Sequence, residues 1–160
     1  MIRHDEDGVP VGGALDAFNV IKALPGVFIG GTANARGDEN GTSDPTTLFT
    51  VTGDVLVRMF AVCTTTIVGA GTIEVGVTGN TAELLPQVSN ASTIAAGEVW
   101  VDATVDDVRA VLMGDITASV VVTNDSDIIE TVGTANLTAG ELYYVCMWKP
   151  LTPGSSVVAA

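Results

Sequence analysis

Four adjacent residues near the amino end, His4, Asp5, Glu6 and Asp7, combine an imidazole with three carboxylates, the side chains that bind transition metals. Neighbours in sequence, followed at once by Gly8, cannot form a preorganised ligand shell by themselves, so the spacing points to a terminal arm and not to a metal site. His4 is the only histidine, which leaves Ser-His-Asp and Cys-His nucleophile arrangements without a base in the rest of the chain. Asp106-Asp107 and Asp125/Asp127 are carboxylate pairs of the kind used for acid/base work. Both lie in turn-like sequence, where Asp bonds its own backbone. The stretch DENGTSD, residues 38–44, offers oxygen ligands at Asp38, Asn40, Thr42 and Asp44. Its glycine comes too early for a calcium loop and no Glu closes it, so a solvated loop is expected.

The glycines of GVFIGGTANARG, residues 26–37, lack the lysine of a phosphate-binding loop, and the Arg36-Gly37-Asp38 adhesion tripeptide that follows is too short to carry weight. Cys63 and Cys146 stand far apart in strand-like runs without Cys or His companions at metal spacing. They are expected to be buried free thiols, with a cross-strand disulfide as the alternative. Trp100 and Trp148 are expected to be the most exposed aromatic rings, as core or interface anchors or as platforms for a sugar. No catalytic residue, metal ligand or cofactor is assigned.

The elements that would position these residues read as strands. At 160 residues the chain fits one domain, able to bury roughly two-thirds of its unfolded surface. From residue 46 the apolar period is two. In TTLFTVTGDVLVRMFAVC, Phe49, Val51, Val55, Val57, Met59, Ala61 and Cys63 share one face, as expected of a long central strand bent at Gly53. TIEVGVTGN turns Ile73, Val75 and Val77 inward, Gly79-Asn80 makes a turn, and Pro86 argues for an edge position or a strand end in the run that follows. ELYYVCMW is apolar on both faces, as an interior or covered strand must be. The fold class expected is therefore all-β, an antiparallel β-sandwich or jelly roll over residues 46–150. Residues 1–45, punctuated by Gly and Pro, read as an extended arm. Leu15, Phe18, Ile21 and Leu24, three apart, predict one short helix near 14–24. Residues 151–160 form an apolar tail.

Nineteen acids against six bases give a charge of −13. The bases are scattered in sequence and form no Lys/Arg stripe, which argues against nucleic acid and against anionic membrane surfaces as partners. No apolar run is long enough for a membrane span, and the acidic start MIRHDEDGVPVGG is unlike a secretory signal, so a chain that stays soluble without export is expected. Only 16% of residues are charged, and a partner surface is expected to cover part of the rest. The apolar ends nominate Leu15, Phe18, Ile21, Leu24, Trp148, Leu151, Val157 and Val158 as interface residues.

The runs GDVLVRMFAVC, GTIEVGVTGNTAELLPQ, AGEVWVDAT and TAGELYYVCMWKPL, with the uncharged tail, resemble in texture the small β-rich virion proteins of tailed bacteriophages, over residues 46–160. The resemblance implies a head decoration (cement) protein and not an enzyme, made in the host bacterial cytoplasm and located on the capsid surface. Its implied partners are the major capsid protein and further copies of itself, a trimer being favoured. A head fibre, spike or tail component is the alternative, and a lectin-like glycan-binding module using Trp100 or Trp148 a further one. The resemblance carries over no individual functional residue.

Overall fold

The structure, a computed structural model, describes residues 3–4, 10–11, 18–42, 44–101 and 119–160. Its described strands are β1 (Arg3–His4), β2 (Pro10–Val11), β3 (Asn19–Ala23), β4 (Thr46–Thr52), β5 (Val55–Val68), β6 (Thr72–Val77), β7 (Asn80–Val88), β8 (Val99–Trp100), β9 (Val120–Val122), β10 (Ile128–Gly133), β11 (Ala139–Pro150) and β12 (Ser156–Ala159). β1 and β2 pair only with each other. The others form two antiparallel sheets, ordered β12–β4–β10–β6–β7 and β3–β11–β5–β8, with β9 following β8 along the same edge of β5. The fold is the expected antiparallel β-sandwich.

Alternation builds the core. β5 sends Val55, Val57, Met59, Ala61 and Cys63 inward, and β11 sends Leu142, Tyr144 and Cys146. The other sheet answers with Phe49, Val51, Ile73, Val75, Leu85, Ile128, Val132 and Val157, and all of these residues are at most 4% exposed. Each large aliphatic or aromatic side chain so buried contributes about 1.5–3 kcal/mol. β5 and β11 form the longest ladder, from Val55 opposite Pro150 to Val68 opposite Ala139. As expected, β11 is interior, between β3 and β5, and Pro86 lies in the edge strand β7.

Two expectations are corrected. Residues 46–63 are not one bent strand. Gly53, at φ +67°, turns the chain, so that β4 lies in one sheet and β5 in the other. Phe49 and Val51 precede this corner in the same odd-numbered phase as Val55 and Val57 after it. Both strands face one core from opposite sides, so the sequence pattern runs through the corner unbroken.

The predicted helix near 14–24 is a strand where it is described. β3 pairs with β11 from Asn19 opposite Trp148 to Ala23 opposite Tyr144. Its side chains alternate, with Ile21 and Ala23 toward the core and Val20 and Lys22 outward. Leu24 is 61% exposed, so the three-residue spacing marks no buried stripe. β-Branched Val20 and Ile21 favour a strand, and the free edge of β11 supplies a ladder that a two-turn helix would forgo. The expected arm thus joins the sandwich from Asn19 onward, well ahead of residue 45. At the other end β12 pairs with β4 and touches β3.

Residues 28–42 lie against the strand connection at 136–140. The Phe28 amide donates to the Gly140 carbonyl at 2.9 Å, the Gly30 amide to Leu137 at 2.8 Å, and the Leu137 amide to Gly37 at 2.8 Å. A Cβ on Gly30 would collide with the Gly37 carbonyl and come within 2.7 Å of the Leu137 oxygen. Gly30→Ala should therefore destabilise the domain by about 1–3 kcal/mol, read as a lower urea midpoint. An unchanged midpoint would show that the loop gives way freely.

Candidate functional site

Inside the sandwich the strongest chemistry is a buried ion pair. Arg36 reaches in from the 28–42 loop and is 8% exposed, and Glu130 on β10 is 1% exposed. Arg36 Nε donates to Glu130 Oε1 at 2.9 Å and Nη2 to Oε2 at 2.5 Å, the two-pronged geometry that suits guanidinium and carboxylate. Nη1 donates to the Gly26 carbonyl, and the Tyr144 hydroxyl on β11 donates to Glu130 Oε2. The guanidinium carbon lies 3.7 Å from the centre of the Phe28 ring, and Trp100 packs edge-on against Tyr144 with centroids 6.5 Å apart.

Burial works against the guanidinium charge, but the Glu130 carboxylate outweighs it and holds Arg36 above its usual pKa. Burial, reinforced by the same carboxylate, pushes the Tyr144 phenol well above its usual range. The phenol therefore stays protonated as a donor. Every oxygen of Glu130 is occupied by these partners, so the arrangement acts as a clamp between loop and core. The inward Arg36 also means that the Arg-Gly-Asp tripeptide does not present its guanidinium to solvent.

The remaining chemical candidates separate. Among the described residues, no three His, Cys, Asp or Glu side chains come together as a metal shell requires. Asp38 accepts from the Asn34 amide and Asp44 from the Val132 amide, so two of the DENGTSD carboxylates bond backbone. Asp125 and Asp127 lie in and beside the turn before β10, with Asp127 accepting from the Val51 amide. Asp5, Glu6, Asp7, Asp106, Asp107 and Leu15 fall outside the described residues, and of His4 only the backbone is described.

Cys63 and Cys146 are free and buried. Burial, with the Glu98 carboxylate adding to it, pushes Cys63 up to about 11, and burial pushes Cys146 up to about 12. Trp100 is not the exposed ring expected but is fully buried, because the strand phase in β8 turns Trp100, not Val99, toward the core. Trp148 is half-buried against the core. Of the nominated interface residues, Ile21 packs on the core and Val157 is buried against its own sheet. Leu24, Leu151 and Val158 are exposed.

What the fold brings together instead is an outward face. Alternation along β3, β11 and β5 turns Val20 and Lys22, then Tyr143, Val145 and Lys149, then Leu56, Arg58, Phe60 and Val62 to the outside of one sheet, with Met147 on the same side but buried. Val121 of β9 continues the face beside Leu56. Val20 is 66% and Val121 56% exposed. The Lys22 ammonium lies 3.8 Å from the centre of the Tyr143 ring, and Phe18 carries Lys149 at 4.6 Å and Arg58 at 5.3 Å. Arg58 Nε also donates to Ser119 Oγ at 2.7 Å.

The other sheet's outward positions hold Thr50, Glu74 and Thr131 together with Val158, opposite Thr50 and 52% exposed, and Thr81 and Gln87 both donate to Glu74. One outer face mixes hydroxyls, the Glu74 carboxylate and Val158, whereas the other is apolar and aromatic and carries the cations. In sequence the basic residues are scattered; their gathering is visible only once β3, β11 and β5 are set side by side. The signal available was their even-numbered or odd-numbered phase opposite to the buried residues of each strand.

Set against protein-family models, curated protein sequences and solved structures, the chain matches none.

Two measurements check the interior. Glu130→Gln, which strands the buried guanidinium, should cost about 3–5 kcal/mol, and Arg36→Met a comparable amount. The double variant should cost clearly less than their sum in urea unfolding, whereas additivity within about 0.5 kcal/mol would show the pair to be uncoupled. Both thiols should resist a disulfide reagent in the native protein at mildly alkaline pH and react fully in denaturant. Prompt reaction of either in the native state would place it in solvent.

Proposed function

We propose that this chain is a structural protein of a tailed-phage particle, a head decoration protein. In this reading it binds the outside of the capsid and stabilises it through symmetric contacts with the major capsid protein and with further copies of itself. The observation that carries the reading is the unlike character of the two outer faces. A free-standing antiparallel sandwich covers both with polar side chains, whereas here one sheet presents exposed Val20 and Val121 with half-buried Leu56, Phe60, Val62 and Val145 between them. Apolar, aromatic surface of this kind, set with Lys and Arg, is the composition of a protein contact. The texture of residues 46–160 supports the phage assignment.

A head fibre, spike or tail component would share the surface and differ in copy number. The glycan-binding reading is weakened by Trp100, since a stacking platform needs an exposed ring and this one is 0% exposed.

Mixing the purified protein with undecorated phage heads and pelleting them tests the proposal. The expected outcome is saturable co-pelleting in proportion to the shell subunits. Binding of a few copies per particle would move the protein to the tail, and absence from the pellet would remove it from the head surface.

A further inference from the structure

We propose that the outer face of the β3–β11–β5 sheet joins copies of this chain to one another, and that the contact is heterologous: the cations of one copy sit on an acidic surface of the next. The proposal deepens the reading above, from which it takes the homo-oligomer, and names the surface and the chemistry that make it.

Charge commits the face to this occupant. Of the six basic residues, Arg36 is buried on Glu130, and Arg109 and the side chain of Arg3 lie outside the described residues. The remaining three, Lys22, Arg58 and Lys149, all stand on this one face, braced on Tyr143 and Phe18. The described acid on the same stretch is Glu141, at the end of β11, where Thr64 Oγ1 donates to it at 3.0 Å. The chain has nineteen carboxylates in all, among them Glu74 and Glu83 on strands of the other sheet.

A cationic and apolar face on such a molecule is complementary to the rest of that same molecule. An isologous contact would set the face against itself and bring six cations together with, among the described residues, the two Glu141 carboxylates between them. A heterologous contact sets three cations against carboxylates of the neighbour while covering Val20 and Val121. Contacts of this type close into rings or run on as filaments, and a particle-surface protein of fixed size requires the ring. Nucleic acid is the poorer occupant, because three cations release few counterions and the acidic remainder repels phosphate.

The test is light scattering of the full chain from low to high salt, for the wild type and for Lys22→Glu/Arg58→Glu/Lys149→Glu. It is joined by zero-length carbodiimide cross-linking of mixed isotope-labelled copies, which identifies links between chains. The expected result is a closed ring that dissociates as salt rises. Self-association should weaken roughly tenfold or more in the variant, with circular dichroism and melting temperature unchanged. Inter-chain links should run from Lys22 or Lys149 to carboxylates other than Glu141.

Should the triple variant fail to fold, the salt series and the cross-links of the wild type decide alone. A monomer at all concentrations, an oligomer indifferent to salt, or links confined to Glu141 would overturn the proposal. So would a face that captures a single-stranded oligonucleotide, or a variant that keeps its oligomer but no longer pellets with undecorated heads. A ring that forms as described and ignores heads would leave this inference standing and remove the virion reading instead.

Discussion

The carboxylate of Glu130 is the point on which the rest of the structure turns. It sits on β10 in one sheet, accepts from Tyr144 on β11 in the other, and holds Arg36 from the loop that covers one side of the sandwich. Apolar packing alone tolerates sliding of one sheet over another at modest cost, but a buried charge with its partners fixed in direction does not. A one-residue slip of β10 would turn Glu130 to the outside and leave both the guanidinium and the phenol unpaired in the core. The ion pair thus fixes which face of β10 is inward, how the two sheets align, and where the loop carrying Phe28 must lie.

That alignment also decides the outside. On β5 the alternation that buries Val57, Met59 and Ala61 presents Arg58, Phe60 and Val62, and on β11 the alternation that buries Tyr144 and Cys146 presents Tyr143 and Val145, while Met147 on the same side is covered. The opposite sheet obeys the same geometry with Thr, Glu and Val158 at its outward positions. The difference between the faces is therefore one of composition on a shared geometry. The cost of exposed aromatic area is moderated by the Lys22, Arg58 and Lys149 charges that lie over the Tyr143 and Phe18 rings.

Much of this was legible in the chain. Period-two patterning gave the sandwich, the interior position of the last long strand, the edge position of Pro86 and the buried thiols, because each rests on burial that acts residue by residue. The corner at Gly53 was missed because a strand crossing from one sheet to the other keeps its inward phase. Residues 19–23 were misread because three-residue spacing of Phe18, Ile21 and Leu24 imitates a helix over so short a stretch, and only the open edge of β11 decides against it. Arg36 and Glu130 are 94 residues apart, and Lys22, Arg58 and Lys149 lie on three strands whose order no local pattern encodes. A clamp and a face made by pairings of this range belong to topology, and they appear only when the sheets are assembled.

The order of strands has a consequence for how the chain is made. From β3 to β12 the path changes sheet at nearly every step, and the hairpin of β6 and β7 is the exception among neighbouring long strands. The strand that pairs with both β3 and β5 is β11, near the carboxyl end. While the ribosome is still upstream of it, β5 has no partner along its longest edge, Arg36 has no complete clamp, and the cationic face has no middle row. Pairing of the sheet, closure of the core and completion of the cationic face therefore all wait for β11. A chain cut before β11 would have β3 and β5 without the strand that joins them.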